Sequence, residues 1–209
     1  MSQRFSTDVL VIGGGAAGLS SALNLAEHCR VTMLCKGGIE SSASHWAQGG
    51  VAAVTSPADS VSSHAADTIS AGAGLCNEMI VSTTVAQAPE IIDSLINWGV
   101  EFDQSQNSFH LTQEGGHSFR RILHVADATG RAINERLTER ALDHPNIELF
   151  NDRVAIDLIT LDETVKNSKQ CAGAYVLNTG TGHVEVFQSK FTILATGGAS
   201  KVYFCLLYK

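Results

Sequence analysis

Asp8-Val9-Leu10-Val11-Ile12-Gly13-Gly14-Gly15-Ala16-Ala17-Gly18-Leu19 decides the fold. Asp8 to Ile12 is a short apolar run rich in β-branched residues, the composition of a strand buried on both faces of a parallel sheet. Glycines follow at once in the pattern Gly13-x-Gly15-x-x-Gly18. Leu19, Ala22, Leu23 and Ala26 then recur at i, i+3, i+4 and i+7, the spacing of one helical face. Strand, glycine turn and helix in that order make a dinucleotide fingerprint. Gly13 permits the sharp turn, Gly15 removes a side chain where a diphosphate approaches the backbone, and Gly18 lets helix and strand pack closely. The unpaired amides at the helix start then face the anion. A glycine turn without a ligand is the alternative, and the strand before it and the helix after it argue against that.

The fingerprint lacks one member. Arg30 to Leu34 reads as the second strand. An acid usually closes that strand and holds a ribose, about 20 residues past the glycines. Cys35, Lys36 and Gly37-Gly38 stand there instead. NAD is thereby disfavoured, and Lys36 either faces a phosphate or is solvated at the strand end. The loop from Gly37 to Gly50 follows, containing Ala43-Ser44-His45-Trp46-Ala47-Gln48-Gly49-Gly50. Its small residues and closing glycines allow close backbone approach, so it drapes over a large flat ligand or is a plain surface loop. Trp46 favours the first reading, because an indole is costly to leave in water.

Further along, Asp59 and Ser60 can cap a helix to about Ala71, with Val61, Ala65 and Ile69 as its stripe, and Asn77 can cap another. Pro89 is expected to break that second helix and start a new one to Trp98, stopped by Gly99. Asp127-Ala128-Thr129-Gly130 leads into a helix with Ile133, Leu137 and Ala141 on one side, ended by Asp143-His144-Pro145. Ile147 to Phe150 and Val154 to Leu161 are strand-like. Cys171 to Leu177 and Val184 to Phe187 flank Thr179-Gly180-Thr181-Gly182 as a hairpin. Phe191 to Ala195 reads as another strand, running into Thr196-Gly197-Gly198. The class is α/β: a Rossmann-like domain with a parallel sheet and an added β-hairpin.

The chain has 209 residues, 44% of them apolar, and a net charge of −7. That is long enough to bury a core and too apolar for disorder. Lys and Arg form no stripe longer than Arg120-Arg121, which argues against a nucleic-acid partner. No apolar run reaches membrane-spanning length, and residues 1–7 lack the apolar core of a secretory leader. Cys29, Cys35, Cys76, Cys171 and Cys205 are odd in number and form no CxxC, the usage of reduced thiols in a cytoplasm.

Phe109 to Arg121 concentrates ionisable side chains of both signs around Gly115-Gly116. Such a loop can bind a charged substrate, Glu114 orienting an amine and an Arg pairing a carboxylate, or it can be a solvated loop with surface ion pairs. His110, His117 and His124 recur every seven residues, but the two glycines forbid one helix carrying all three, so no metal site is expected.

Several stretches carry a resemblance. They are Val11 to Leu19, Ala47-Gln48-Gly49-Gly50-Val51-Ala52-Ala53-Val54, His110-Leu111-Thr112-Gln113-Glu114-Gly115-Gly116-His117-Ser118, Arg120-Arg121-Ile122-Leu123-His124 with Ala126 to Gly130, and Ala195-Thr196-Gly197-Gly198-Ala199-Ser200-Lys201-Val202-Tyr203. The chain resembles the N-terminal part of the succinate dehydrogenase/fumarate reductase flavoprotein family, and within it the aspartate-oxidising branch, to which the Glu114 loop and double Arg point. On that resemblance residues 1–203 are an incomplete FAD-binding domain and 204–209 a non-matching tail. FAD is implied, with Gly14, Gly15, Ala16 and Ala17 at the pyrophosphate and Lys36 by the adenosine half. Ala43 through Gly50 would line the flavin, Val154 and Ala155 would approach the adenine end, and Glu114 would orient aspartate. The family's covalent attachment uses a His at the place of Ala43, with His45 two residues out of register, so FAD is expected to be non-covalent.

The implied chemistry is hydride removal from the α-carbon of L-aspartate to flavin N5, giving iminoaspartate, with oxygen or fumarate as the acceptor. Iminoaspartate would feed quinolinate synthase in NAD biosynthesis. The family's capping domain, its catalytic Arg and its helical C-terminal domain lie downstream, so the expectation is a truncated, inactive fragment. Two alternatives remain open: another fumarate reductase-type enzyme of the family, or a non-catalytic nucleotide-binding remnant.

Overall fold

The computed structural model describes residues 3–106, 108–163 and 168–198; Ala199 to Lys209, with the expected tail, lie outside them. In chain order the elements are β1 (Arg4–Ile12), α1 (Ala16–Ala26), β2 (Val31–Leu34), β3 (Val51–Ala52), α2 (Val61–Ala71), α3 (Glu78–Asn97), β4 (Gln104–Ser105), β5 (Ser108–Phe109), β6 (Ile122–Leu123), α4 (Thr129–Asp143), β7 (Ile147–Phe150), β8 (Arg153–Glu163), β9 (Ser168–Asn178) and β10 (Val184–Leu194). They fall into two compact units, residues 1–46 with 134–209, and residues 47–133.

The first unit is built on a six-stranded sheet in the order β7-β2-β1-β10-β9-β8. β7, β2, β1 and β10 run parallel, and β9 and β8 continue the sheet antiparallel. The parallel sheet is as expected, and the expected hairpin is β9–β10, whose second arm is itself the parallel neighbour of β1. Val9 to Ile12 and all four residues of β2 are buried, as a strand covered on both faces must be. Leu10, Ile12, Leu34, Ala174, Val176 and Phe187 form one core cluster. Phe5 stacks on Phe187 at 4.5 Å and meets Phe150 edge-on at 5.0 Å.

Two strands differ from expectation. β1 starts at Arg4 rather than Asp8, because its polar first half pairs with β10 from Arg4 opposite Val186 onward. Val184 to Phe187 and Phe191 to Leu194 are one strand rather than two. The polar Gln188-Ser189-Lys190 between them breaks the apolar pattern, yet β10 pairs with β1 through this stretch, and Lys190 Nζ reaches Asp8 at 2.7 Å.

In the second unit α2 starts where its cap predicts, with Ser60 Oγ accepting from the Ser63 amide at 3.1 Å. Its buried residue is His64, while Val61 of the expected stripe is exposed. α3 is capped by Asn77 and runs unbroken through Pro89, which corrects the expected break. Proline in a helix interior costs about 3 kcal/mol, and burial of Val85, Ile92 and Leu95 along one face outweighs it. Gly99, at φ +97, terminates the helix as expected. Ile133, Leu137 and Ala141 of α4 are buried, also as expected.

Candidate cofactor-binding site

The bend between β1 and α1 separates glycines that packing requires from one that it does not. Gly13 has φ +127, and a Cβ there would strike the Ala195 carbonyl. A Cβ at Gly18 would strike the Gly13 carbonyl oxygen. At Gly15 a Cβ would meet only Ser44 Oγ, at 3.2 Å. A side chain at Gly15 would thus press only on the end of Ser44, which has to give by a few tenths of an ångström, whereas at Gly13 and Gly18 it would meet backbone. Around it the bend is pinned by backbone bonds, Gly13 N–H to Leu34 O and Ala195 N–H to Ile12 O, both 2.9 Å.

Helix α1 has no side-chain cap of its own at Gly15. Ala16 N–H donates instead to Ser44 Oγ at 3.1 Å, which anchors the following loop to the bend. The amides of Gly14 and Gly15 have no partner among the described residues. Together these leave a helix N-terminus with open donors facing a cavity of about 350 Å³.

That cavity is lined by the glycine bend, by Cys35 and Lys36 after β2, by Ser41 to Ser44, by Arg153 to Ala155 and by Ala195 to Gly198. Of the residues expected to hold a dinucleotide, Gly13, Gly14, Gly15, Lys36, Ala43, Ser44, Val154 and Ala155 thus come together. Lys36 is exposed and Ala17 faces solvent on α1. Gly18 and Ala16 act one step back, through packing and the Ser44 bond. His45 and Trp46 stack edge-on at 5.5 Å, and Trp46 is 57% exposed in the protein alone. Burial pushes the Cys35 thiol up to about 11.

Ala47, Gln48, Gly49 and Gly50 belong to the second unit, with the Glu114 loop. A Cβ at Gly50 would strike Ile122 Cγ2 and the Leu123 carbonyl, so this glycine serves the β3–β6 pairing. The Glu114 side chain is exposed; its Oε2 is the nearest atom to a Cβ built at Gly49, at 4.0 Å. The loop's neck is closed by Thr112 N–H to Ile122 O at 3.0 Å and Ile122 N–H to Thr112 O at 3.1 Å. Inside it, Gln113 Nε2 donates to the His117 carbonyl at 2.7 Å.

Arg121 is fully buried, and its donors are taken by the protein's own carboxylates. Nε and Nη2 donate to Asp59 at 2.7 and 2.9 Å, and Nη1 donates to Asp67 at 2.6 Å. Asp67 also accepts from the Ser118 amide at 2.8 Å and hydroxyl at 2.6 Å. The Arg121 bond holds Asp59 below the usual carboxylate range, and Ser118 and Arg121 do the same for Asp67. Burial, and then the Arg121 charge, pushes the neighbouring His64 down. So neither sequence reading of this loop describes Arg121, which is neither a surface ion pair nor open to a substrate; Arg120 is the exposed member of the pair. A cavity of about 680 Å³ beside it is lined by Thr55, Asp59, Phe109, Phe119 and Arg120. It is larger than the glycine-lined one.

Sequence reasoning missed Ser44 as the partner of the helix start, and it missed Asp59 and Asp67 as the partners of Arg121. It also passed over Asn134, which stands behind Gly14 and is 120 residues away in the chain. No local pattern announces such pairs, because each is made by residues that only the fold brings together.

A family profile described as an FAD binding domain matches residues 8–207. L-aspartate oxidase of Pseudomonas aeruginosa is 53% identical over 211 residues, covering 97% of this chain and 39% of that protein. L-aspartate oxidase of Vibrio cholerae is 50% identical over 202 residues, covering 94% and 38%. Among solved structures, Escherichia coli quinol fumarate reductase superposes with a TM-score of 0.88 at 28% identity, over 96% of this chain and 34% of that one. The chain thus spans about two fifths of the length of the curated relatives it matches. Among the described residues no helix is long and apolar enough to cross a membrane.

Proposed function

Because the chain belongs to the FAD binding domain family, we propose that it is the cofactor-holding portion of an L-aspartate oxidase, converting L-aspartate to iminoaspartate. The observation that carries this reading is the 53% identity to the Pseudomonas aeruginosa enzyme across 97% of the chain, which takes in both the glycine bend and the Glu114 loop. The residues present fit FAD. Gly15 puts no side chain into the cavity, two amides at a helix start lack partners among the described residues, and the Lys36 cation stands at the same cavity.

When bound, FAD supplies the two-electron acceptor for hydride removal from the α-carbon, and oxygen or fumarate takes those electrons on. The protein's own part is to bind and orient. The glycine amides and Lys36 would hold the diphosphate and adenosine half without a covalent bond, and Val154 and Ala155 would lie toward the adenine end. Glu114 orients the substrate amine by charge. Among the described residues we assign no group that takes the proton leaving the substrate amine or that clamps both carboxylates, so this portion is not expected to turn over aspartate unaided. Iminoaspartate then serves quinolinate synthase in a cytoplasmic route to NAD; the free Cys29, Cys35, Cys76 and Cys171 suit that reducing compartment.

The test is in two steps. The purified chain is titrated with FAD, and yellow protein with quenched flavin fluorescence is expected. The protein that carries these residues is then assayed for flavin reduction and hydrogen peroxide with L-aspartate or succinate as the electron donor, and with fumarate in place of oxygen as the acceptor. Response to aspartate alone supports the reading, and reduction of the flavin by succinate instead would overturn it. A 209-residue chain that oxidised aspartate at the rate of a complete enzyme would refute the division of labour.

A further inference from the structure

A buried amide side chain stands behind the glycine bend with its acceptor oxygen unpartnered among the described residues. Asn134, on α4, is 0% exposed. Its Nδ2 donates to the Gly14 carbonyl oxygen at 3.5 Å. Its Oδ1, also buried, has no partner among the described residues. A carbonyl oxygen only accepts, so the NH₂ end is the one that faces Gly14. An unused buried acceptor destabilises the fold, and an apolar side chain of similar volume would fill the same space without that cost. Packing alone does not account for an asparagine here.

Peptide geometry does. The unit joining Gly14 to Gly15 is planar and trans, so its C=O and its N–H point in opposite directions. A Gly14 oxygen drawn back toward Asn134 turns the Gly15 N–H the other way, toward the cavity that both glycines line. No Cβ on either residue resists a flip of this peptide. Flipped, it would present a carbonyl oxygen to an arriving anion. We propose that Asn134 is a positioning residue for the dinucleotide, holding the Gly14–Gly15 peptide so that the Gly15 N–H is offered to the diphosphate. This deepens the FAD reading above and rests on it.

The experiment titrates the wild-type chain, Asn134→Leu and Asn134→Asp with FAD and with ADP, which carries the diphosphate without the flavin. Flavin fluorescence and calorimetry give the dissociation constants, and the ligand-free melting temperature is read in parallel. Asn134→Leu is expected to bind both ligands about five- to tenfold more weakly, the range one hydrogen bond covers, with an unchanged or raised melting temperature. A merely structural residue would show the reverse, a lower melting temperature and unaltered affinity. Asn134→Asp keeps the shape, removes the donor and adds a negative charge, so it is expected to bind at least as weakly and serves as the deciding variant if leucine prevents folding. If wild type binds both ligands and the variants match it, the role of Asn134 is overturned while the FAD reading stands. If wild type binds neither ligand, the FAD reading falls and the role falls with it.

Discussion

Replacing Arg121 by methionine removes one partner from an ion pair whose other members stay where they are. The side chain is 0% exposed and that of Asp59 only 2%, so the orphaned carboxylate cannot recover its hydration without opening the unit. Breaking a buried pair in this way costs about 3–5 kcal/mol, most of it the uncompensated charge left behind. For a chain of this length each kcal/mol moves the melting temperature by about 2–4 °C, so Arg121→Met should melt roughly 10 °C lower at pH 7.

The pH dependence gives a second reading. In the native protein Asp59 and Asp67 lie below their ordinary value of 3.8. A depressed folded pKa means that the stabilisation is complete above the unfolded value and is lost as pH falls through the folded one. Wild type should therefore be flat from pH 7 to about 5 in this respect and weaken only below about pH 4. In Arg121→Met the buried Asp59 loses its counter-charge and its pKa rises, so that protonation relieves it. The gap between variant and wild type should then narrow on acidification from pH 7 toward pH 4.5. Thermal unfolding at each pH, followed by the fluorescence of Trp98, a reporter in the same unit, in a Trp46→Phe background, measures both quantities. Adding Asp59→Asn to the variant should restore part of the loss. A deficit under about 2 °C at pH 7, or one that grows on acidification, would refute this account of the buried pair.

Three further outcomes are expected. Gly15→Ala should keep the fold, since its φ of −82 suits any residue and Ser44 Oγ, at 3.2 Å, has to give by only a few tenths of an ångström, yet weaken FAD binding by about tenfold or more; Gly13→Ala, at φ +127 against the Ala195 carbonyl, should lose the fold itself in a melting experiment. Pro89→Ala should return a donor to the Val85 carbonyl and raise stability in urea by about 1–3 kcal/mol. Cys35, pushed up to about 11 by burial, should be alkylated by iodoacetamide at pH 8 more slowly than the half-buried Cys29 and Cys76; peptide mass spectrometry showing Cys35 labelled first would contradict this.

Short-range rules carried far here because much of the chain obeys them. The run Asp8 to Leu19 announced strand, turn and helix, each glycine with its own task, and the Ser60 and Asn77 caps and the Gly99 stop appeared where side-chain chemistry places them. They failed where distant partners outvote local preference. Pro89 sits inside a helix because Val85, Ile92 and Leu95 bury the face on either side of it. Gln188 to Lys190 are strand because β1 is there to pair with them.

The candidate site divides the same way. The glycine bend is one contiguous run and Lys36 follows after the next strand, so sequence alone picked out these residues, and the structure places them at one cavity. Asn134 behind Gly14, Ser44 at the start of α1, and Asp59 and Asp67 around Arg121 were settled only in three dimensions. A hydrogen bond depends on angstroms and angles between groups that chain distance does not constrain, whereas a turn depends on dihedrals that each residue largely sets for itself.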